Sequence, residues 1–145
     1  MSINGTNSVD IIDINDADSF LFALEFSILP TMNPFPGPKS VLVVDNAAVH
    51  NRVRMYILCA RFGVILIFLS VYSFDFNPIE LLFNVTKSKM ESLGCNTDER
   101  LLPEHLRFHL WDAVTAEVAC NMFEHCFLPM TEEIKARAIN GDYAN

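Results

Sequence analysis

Two short polar segments stand out because their side chains could start a local structure or hold a metal ion. The first is Asp45-Asn46, which directly follows the apolar run SVLVV, and the second is Asn77-Pro78-Ile79-Glu80. Asp45 and Asn46 could form a plain turn, with their side chains accepting hydrogen bonds from nearby backbone N–H groups. Glu80 could belong to a helix start with Asn77 as N-cap, Pro78 at the first position and a Glu that reaches back. Spacing alone leaves both alternatives open.

The surrounding elements predict that these segments lie at one edge of a sheet. Residues 40–46 (SVLVVDN) and 64–69 (VILIFL) are apolar runs typical of strands that are buried on both faces. The helix predicted between them makes a βαβ unit, so the two strands should be parallel neighbours. Ligands bind at the carboxyl ends of strands in such sheets. We therefore expect Asp45 at that edge, together with some of Asp75, Asn77 and Glu80.

Helices are predicted along most of the remaining chain. A strand over 8–14 (SVDIIDI) precedes a helix that begins at Asp16 or Asp18, and later helices cover 77–92, two segments separated near Thr115, and a last segment from Thr131. The predicted buried side chains are Phe20, Leu21, Leu24 and Ile28 in the first helix; Val53, Tyr56, Ile57 and Ala60 in the second; Ile79, Leu82, Phe83, Thr86 and Met90 in the third; and Trp111, Val114, Val118, Met122 and Cys126 in the C-terminal pair. The pattern predicts an α/β fold with a short, mostly parallel sheet and a helical C-terminal extension.

Composition limits the class of protein. The 145 residues are 51% hydrophobic, which excludes a disordered chain, and their formal net charge is −8. A free-standing nucleic-acid-binding module usually has the opposite charge balance, so we expect weak DNA binding or none. The N-terminal residues carry no basic and apolar leader, and the apolar run over 62–72 is too short to span a membrane. Four scattered cysteines are typical of reduced thiols, so we expect a soluble intracellular protein.

Three strings of residues carry a family resemblance. SVLVVDNAAVHNRV, then GVILIFLSVYSFDFNPIE, then the lysine pair in NVTKSKM resemble the catalytic core of the Tc/mariner superfamily of DDE transposases. That family typically has a buried strand ending in Asp-Asn, a His shortly afterwards, and a strand leading to Leu-Pro-Pro-Tyr-Ser-Pro-Asp-x-Asn-Pro-Ile-Glu. The resemblance covers residues 8–129, a partial DDE catalytic domain, and leaves 130–145 as a C-terminal helix and tail.

The resemblance implies an RNase H-like fold in which three carboxylates hold two divalent ions, Mg²⁺ or Mn²⁺. Such an ion pair activates the attacking oxygen and stabilises the leaving oxygen during phosphodiester transfer in DNA. Asp45 matches the second carboxylate and Glu80 the third, with 34 residues between them. The surrounding motif is matched by Asn46, His50, Tyr72, Ser73, Asn77 and Pro78, which would shape the site and orient the ligands.

The chain also departs from the family pattern. Three family prolines are replaced by Ser70, Val71 and Phe74, and the first carboxylate has no match among Asp10, Asp13, Asp16 and Asp18. The resemblance therefore implies the C-terminal part of a transposase core, a remnant or fragment that is inactive alone and, in a eukaryote, nuclear. The unpaired edge of strand 40–46 would make the chain prone to form oligomers.

Alternatives remain open from the residues. The chain could be a metal-dependent nuclease with a non-standard third carboxylate, Asp75 or an early aspartate, or a protein-interaction module built on the same domain. A zinc site could draw on His105, His109, Cys120, His125 and Cys126, although their spacing matches no common zinc pattern. RVR at 52–54 and KSK at 87–89 could touch the DNA backbone in a complete enzyme, or could be solvated helix charges.

Overall fold

The structure is a computed structural model that describes residues 1–2, 4–5, 16–47, 50–71, 73–94, 102–112, 114–126 and 128–141. Contacts divide the chain into two units. We call the described residues within Ile12–Phe74 the strand unit, and those within Met1–Ile11 and Asp75–Ala144 the helical unit. The predicted strand over 8–14 lies outside the described residues. The division into a catalytic domain over 8–129 and a tail over 130–145 stays a prediction.

The strand unit contains the predicted βαβ element. Strand β1, Val41–Val44, pairs in parallel with β2, Ile65–Phe68, in a register that sets Val41 opposite Ile65 and Val44 opposite Phe68. Helix α2, Arg52–Arg61, connects the two strands and packs on β2. Both strands are shorter than the predicted ranges of 40–46 and 64–69, since β1 lacks Ser40, Asp45 and Asn46, and β2 lacks Val64 and Leu69. The α/β fold class predicted from the sequence is confirmed.

Helix α1 and the turns that follow it supply the rest of the strand unit. Helix α1, Ala17–Ala23, continues as a π-helical turn, Leu24–Ile28, and then as a 3₁₀ turn, Leu29–Thr31. Asp16 is the N-cap, as predicted, because its carboxylate accepts a hydrogen bond from the Ser19 N–H at 2.8 Å. The unit's core is a cluster of fully or nearly buried apolar side chains: Leu21, Leu24, Leu29, Met55, Cys59, Val64 and Leu66.

One face of the sheet is exposed, so the prediction of strands buried on both faces is wrong. Val43 is 47% exposed and Ile67 46% exposed, and their neighbours Val41 and Ile65 are exposed as well. Their alternating partners Leu42, Val44, Leu66 and Phe68 lie in or against the core. A run of four apolar residues satisfies either arrangement, because successive side chains of a strand point to opposite faces.

The buried side of α2 also differs from the prediction. Met55 and Cys59 face the core, whereas Val53, Tyr56 and Ile57 are more than half exposed and Ala60 is exposed too. Helix α2 carries apolar side chains around most of its circumference, so its periodicity did not define one face. Gly63 ends the helix as predicted. Its φ of +70° suits glycine, and a Cβ there would meet Pro34 Cβ at 3.0 Å.

Two ion pairs join the first helical segment of the strand unit to α2. The Arg54 guanidinium donates to Asp18, and the Arg61 guanidinium lies 3.4 Å from Glu25. Each pair links residues that are 36 positions apart in sequence. The pairs line an open groove of about 380 Å³ between the two helical segments, whose floor includes Leu21 and Leu58.

The helical unit contains four described helices. These are α3, Pro78–Ser92; α4, Leu102–Asp112; α5, Ala116–His125; and α6, Glu132–Ile139. Helix α3 packs against α4 and α5, and α5 packs against α6. Helix α4 begins at Leu102. Thr115 and Thr131 are N-caps, as the helix starts near them predicted, and their hydroxyls accept from the Val118 and Ile134 N–H groups.

The core of the helical unit lies between α3, α4 and α5. Its buried members are Leu82, Leu110, Val114, Ala119 and Met122, with Thr86 buried nearby. Phe83 and Trp111 are exposed rather than buried, so these two parts of the predicted apolar stripes are wrong. Burial raises the pKa of the Cys120 thiol and of the Cys126 thiol, as it does for Cys59 in the strand unit. Among the described residues no helix is both long and apolar enough to cross a membrane.

Candidate active site

Asp45 occupies the position directly after β1, at the carboxyl end of the sheet. Its Oδ1 accepts a hydrogen bond from the Ala47 N–H at 3.2 Å and lies 2.8 Å from His50 Nε2. The turn that the sequence allowed is therefore present, since a side-chain oxygen bonds the backbone two residues later. The Asp45 side chain is still 52% exposed. Both of its hydrogen bonds to described residues use Oδ1, so Oδ2 accepts none from them.

His50 is packed beside that carboxylate. Its side chain is 9% exposed, its backbone N–H donates to the Ala47 carbonyl, and its ring lies 4.4 Å from the Phe20 ring between centroids. Within the described part of the chain the buried Nδ1 atom has no hydrogen-bond partner. When Nε2–H donates to Asp45, Nδ1 of a neutral ring is an acceptor. His50 therefore fixes the orientation of one carboxylate oxygen while keeping an unused polar atom.

An aromatic cluster with an arginine extends the same edge of the strand unit. The Phe68 ring, at the end of β2, lies 6.5 Å from the His50 ring and 5.7 Å from the Tyr56 ring, between centroids. The Arg52 guanidinium carbon lies 4.7 Å from the centre of the Phe68 ring. The sequence pointed to Arg52 only as one of the two arginines in RVR at 52–54. Arg52 could have been distinguished from Arg54 by its place at the first position of α2, beside the carboxyl ends of the strands.

In the helical unit, Asn77 and Pro78 start α3 as the capping alternative predicted. The Asn77 side chain accepts from the Ile79 N–H at 3.4 Å, and Pro78 occupies the first turn. The reciprocal half of a capping box is absent between these described residues, because no hydrogen bond joins the Glu80 carboxylate to the Asn77 N–H. Glu80 is exposed in the first turn of α3, where a negative charge is favoured by the helix dipole. Its carboxylate is thus available to a ligand.

The predicted site residues are divided between the two units of the chain. Asp45, Asn46, His50 and Ser73 belong to the strand unit, whereas Asn77 and Glu80 belong to the helical unit. Asn46 and Ser73 are half-buried, and the Ser73 N–H donates to the Ser70 carbonyl. Tyr72 lies outside the described residues. The prediction that Asp45 and Glu80 share one ion stays a prediction.

Two of the aspartates proposed as a replacement third carboxylate have other contacts. Asp16 caps α1 and Asp18 pairs with Arg54. Asp75 is exposed in the helical unit, while Asp10 and Asp13 lie outside the described residues. In the described ranges no three His, Cys, Asp or Glu side chains form a group that could hold a metal ion. The described zinc candidates His109, Cys120, His125 and Cys126 therefore form no such group, while the His105 side chain lies outside the described part.

A parallel βαβ unit with a hydrogen-bonded carboxylate directly after its first strand defines an α/β domain, and ligands of open α/β sheets bind at the carboxyl ends of the strands. A family model described as DDE superfamily endonuclease matches residues 22–101, which is more than half of the chain. The chain belongs to this superfamily. The matched segment includes Asp45, His50, Asn77 and Glu80, and the short parallel sheet with its helices agrees with a partial RNase H-like fold. Neither a curated protein nor a solved structure matches the chain.

Proposed function

We propose that this chain is part of the catalytic domain of a Tc/mariner-type transposase, a DDE enzyme that cuts DNA and joins it to a new site. The observation that carries the proposal is the family match over residues 22–101, within which Asp45 and Glu80 stand in the Asp-Asn and Asn-Pro-Ile-Glu strings. In a eukaryotic cell this activity would place the chain in the nucleus.

The proposed metal ligands are Asp45 and Glu80, and the proposed ion is Mg²⁺ or Mn²⁺. Carboxylate oxygens suit these hard cations, and the half-exposed Asp45 carboxylate keeps Oδ2 free of bonds to described residues. When bound, such ions activate the attacking oxygen and stabilise the leaving oxygen of a phosphodiester. His50 orients Asp45 through its hydrogen bond, and Asn77 fixes the start of the helix that carries Glu80. Asn46, Tyr72 and Ser73 are proposed to shape the loops around these ligands.

The 145 residues are proposed to bind one divalent ion weakly and to leave DNA uncut. Two carboxylates and water can hold a hydrated Mg²⁺ loosely, but in-line transfer uses a second ion. The family's first carboxylate has no match in these residues. DNA binding is expected to be weak, since the net charge of −8 opposes it.

Titration with Mn²⁺, followed by electron paramagnetic resonance of the free ion, tests the proposed ligands. We expect a Kd on the order of 1 mM for the chain. Asp45→Asn and Glu80→Gln should each weaken binding by about tenfold or more, since each removes a charged ligand. Glu91→Gln is the matched control, because Glu91 is an exposed carboxylate on the same helix as Glu80. Equal binding by all four proteins would exclude Asp45 and Glu80 as ligands.

Incubation with supercoiled DNA and Mn²⁺ tests the proposed lack of cleavage. No nicking is expected from the chain. Nicking that disappears in Glu80→Gln would show instead that a different third carboxylate completes the site and that the chain is an active nuclease.

A protein-interaction role is a second candidate, favoured by the exposed apolar face of the sheet. Val41, Val43, Ile65 and Ile67 form this face, and in the described residues each strand pairs only with the other. An unpaired, uncharged strand edge is a template for pairing with another chain. Sedimentation velocity at micromolar concentration separates the outcomes, because oligomers would support this role and a single monomeric species with cooperative unfolding would oppose it.

A further inference from the structure

The three arginines of α2 differ in what their charges contact. Arg54 pairs with Asp18 and Arg61 pairs with Glu25, so both charges are already balanced. Arg52 is exposed and has no acidic partner among the described residues. Its guanidinium carbon lies 4.7 Å from the centre of the Phe68 ring. Of the three, Arg52 is the one whose charge is available to an external anion.

The local charge around Arg52 is more favourable to an anion than the whole-chain charge suggests. Residues 16–74 contain four acidic and four basic side chains, so the net charge of −8 is carried entirely by the rest of the chain. Two of the acidic side chains in this segment are engaged by Arg54 and Arg61. The strand unit therefore lacks the acidic excess that argued against contact with DNA.

Arg52 is linked to Asp45 by a continuous set of contacts. It lies over Phe68, the Phe68 ring lies 6.5 Å from the His50 ring, and His50 Nε2 lies 2.8 Å from Asp45 Oδ1. Tyr56 packs edge-on against the same Phe68 ring and is half exposed. An arginine that rests on an aromatic ring keeps the N–H donors in its guanidinium plane free for a phosphate, and its geometry is already restricted.

We propose that Arg52, seated on Phe68, binds a backbone phosphate of DNA and holds the strand beside Asp45. This inference rests on the proposed function, since it assigns the DNA contact of that same site. Arg52 is a positioning residue and takes no part in bond cleavage. Arg54 and Arg61 belong to the same helix, but their charges are already paired with Asp18 and Glu25, so they should contribute less to phosphate binding.

The test is fluorescence anisotropy with labelled duplex and single-stranded DNA and the 145-residue chain, without divalent metal, at about 50 mM salt. The variants are Arg52→Ala and Arg52→Lys, with Arg54→Ala and Arg61→Ala as controls that remove the same charge from the same helix. Urea unfolding of each variant shows that it is folded. We expect Arg52→Ala to bind DNA about tenfold more weakly and to reduce the slope of log K against log salt by about one. The DNA affinity of Arg52→Lys should lie between that of the parent and that of Arg52→Ala. The control variants should change the DNA affinity by less than about twofold.

Three results would overturn the proposal. An equal loss in all three alanine variants would mean that only net charge matters, and a chain that binds no DNA under these conditions would have no phosphate contact to assign. The Mn²⁺ titration of the Asp45 and Glu80 variants is done without DNA, so its result is independent of the DNA-binding measurement. Normal Mn²⁺ binding with unaltered DNA affinity in Arg52→Ala would reject Arg52 and leave the proposed metal ligands standing.

Discussion

His50 Nε2 lies 2.8 Å from Asp45 Oδ1, and this contact joins a buried ring to a half-exposed carboxylate. Two substitutions separate the hydrogen bond from the packing of the ring. His50→Phe keeps the ring against Phe20 and removes the N–H donor, so Mn²⁺ affinity should fall by about tenfold. His50→Gln keeps a donor and loses the ring, so it should lower the free energy of unfolding by about 1–2 kcal/mol with a smaller effect on Mn²⁺. Urea unfolding and Mn²⁺ titration of both variants check this, and the reverse pattern would contradict the orienting role.

Asn77 and Glu80 should have separable effects at the start of α3. Asn77→Ala removes the N-cap and should lower the free energy of unfolding by about 1 kcal/mol. Glu80 makes no capping hydrogen bond, so Glu80→Gln removes only the interaction of its charge with the helix dipole. This substitution should lower the free energy of unfolding by less than about 0.5 kcal/mol. Thermal unfolding followed by circular dichroism measures both. A Glu80→Gln cost as large as that of Asn77→Ala would indicate that Glu80 is mainly a structural residue.

Met55 and Ile57 test which side of α2 faces the core. Met55 is fully buried, whereas Ile57 is 57% exposed two positions later on the same helix. Met55→Ala should therefore lower the free energy of unfolding by about 2–5 kcal/mol, and Ile57→Ala should change it by no more than about 0.5 kcal/mol. Urea midpoints of the two variants give the comparison. A larger loss for Ile57→Ala would mean that the sequence-based face of this helix was right.

Asp16 should contribute to the acid sensitivity of the strand unit. The Ser19 N–H donates to this carboxylate and lowers its pKa. A carboxyl whose folded pKa is depressed adds stability above its unfolded pKa, and that stability is lost as pH falls through the folded value. Asp16→Asn retains an N-cap without a titrating group, so its urea midpoint should fall less than that of the parent between about pH 5 and pH 3. Parallel acid profiles for the two proteins would contradict this contribution.

The boundaries of the elements were predictable where local chemistry ends them. Asp16, Thr115 and Thr131 are caps, Gly63 ends α2, and the two apolar runs became parallel neighbours. These features depend on side chains that bond the adjacent backbone, or on a helix between two strands, which favours parallel pairing. Sequence spacing carries that information directly.

Which apolar side chains are buried was less predictable. Helix α2 and both strands carry apolar residues on two sides, so the choice between Met55 and Ile57, or between Leu42 and Val43, depends on which neighbours the fold supplies. The same limit applies to the site. Motif strings pointed to Asp45 and His50 as candidates. The contact between Arg52 and Phe68 depends instead on how the end of β2 packs against the start of α2.

The two ion pairs between the helical segment over 17–28 and α2 limit where this chain can gain or lose residues during evolution. Asp18 and Glu25 are seven residues apart, and so are their partners Arg54 and Arg61. Deleting one residue between Arg54 and Arg61 would turn the second cation by about 100° around the helix axis and separate it from Glu25. Insertions in the loop over 32–40 leave both spacings intact. Length variation among relatives should therefore collect in that loop, although each exposed pair adds little stability by itself.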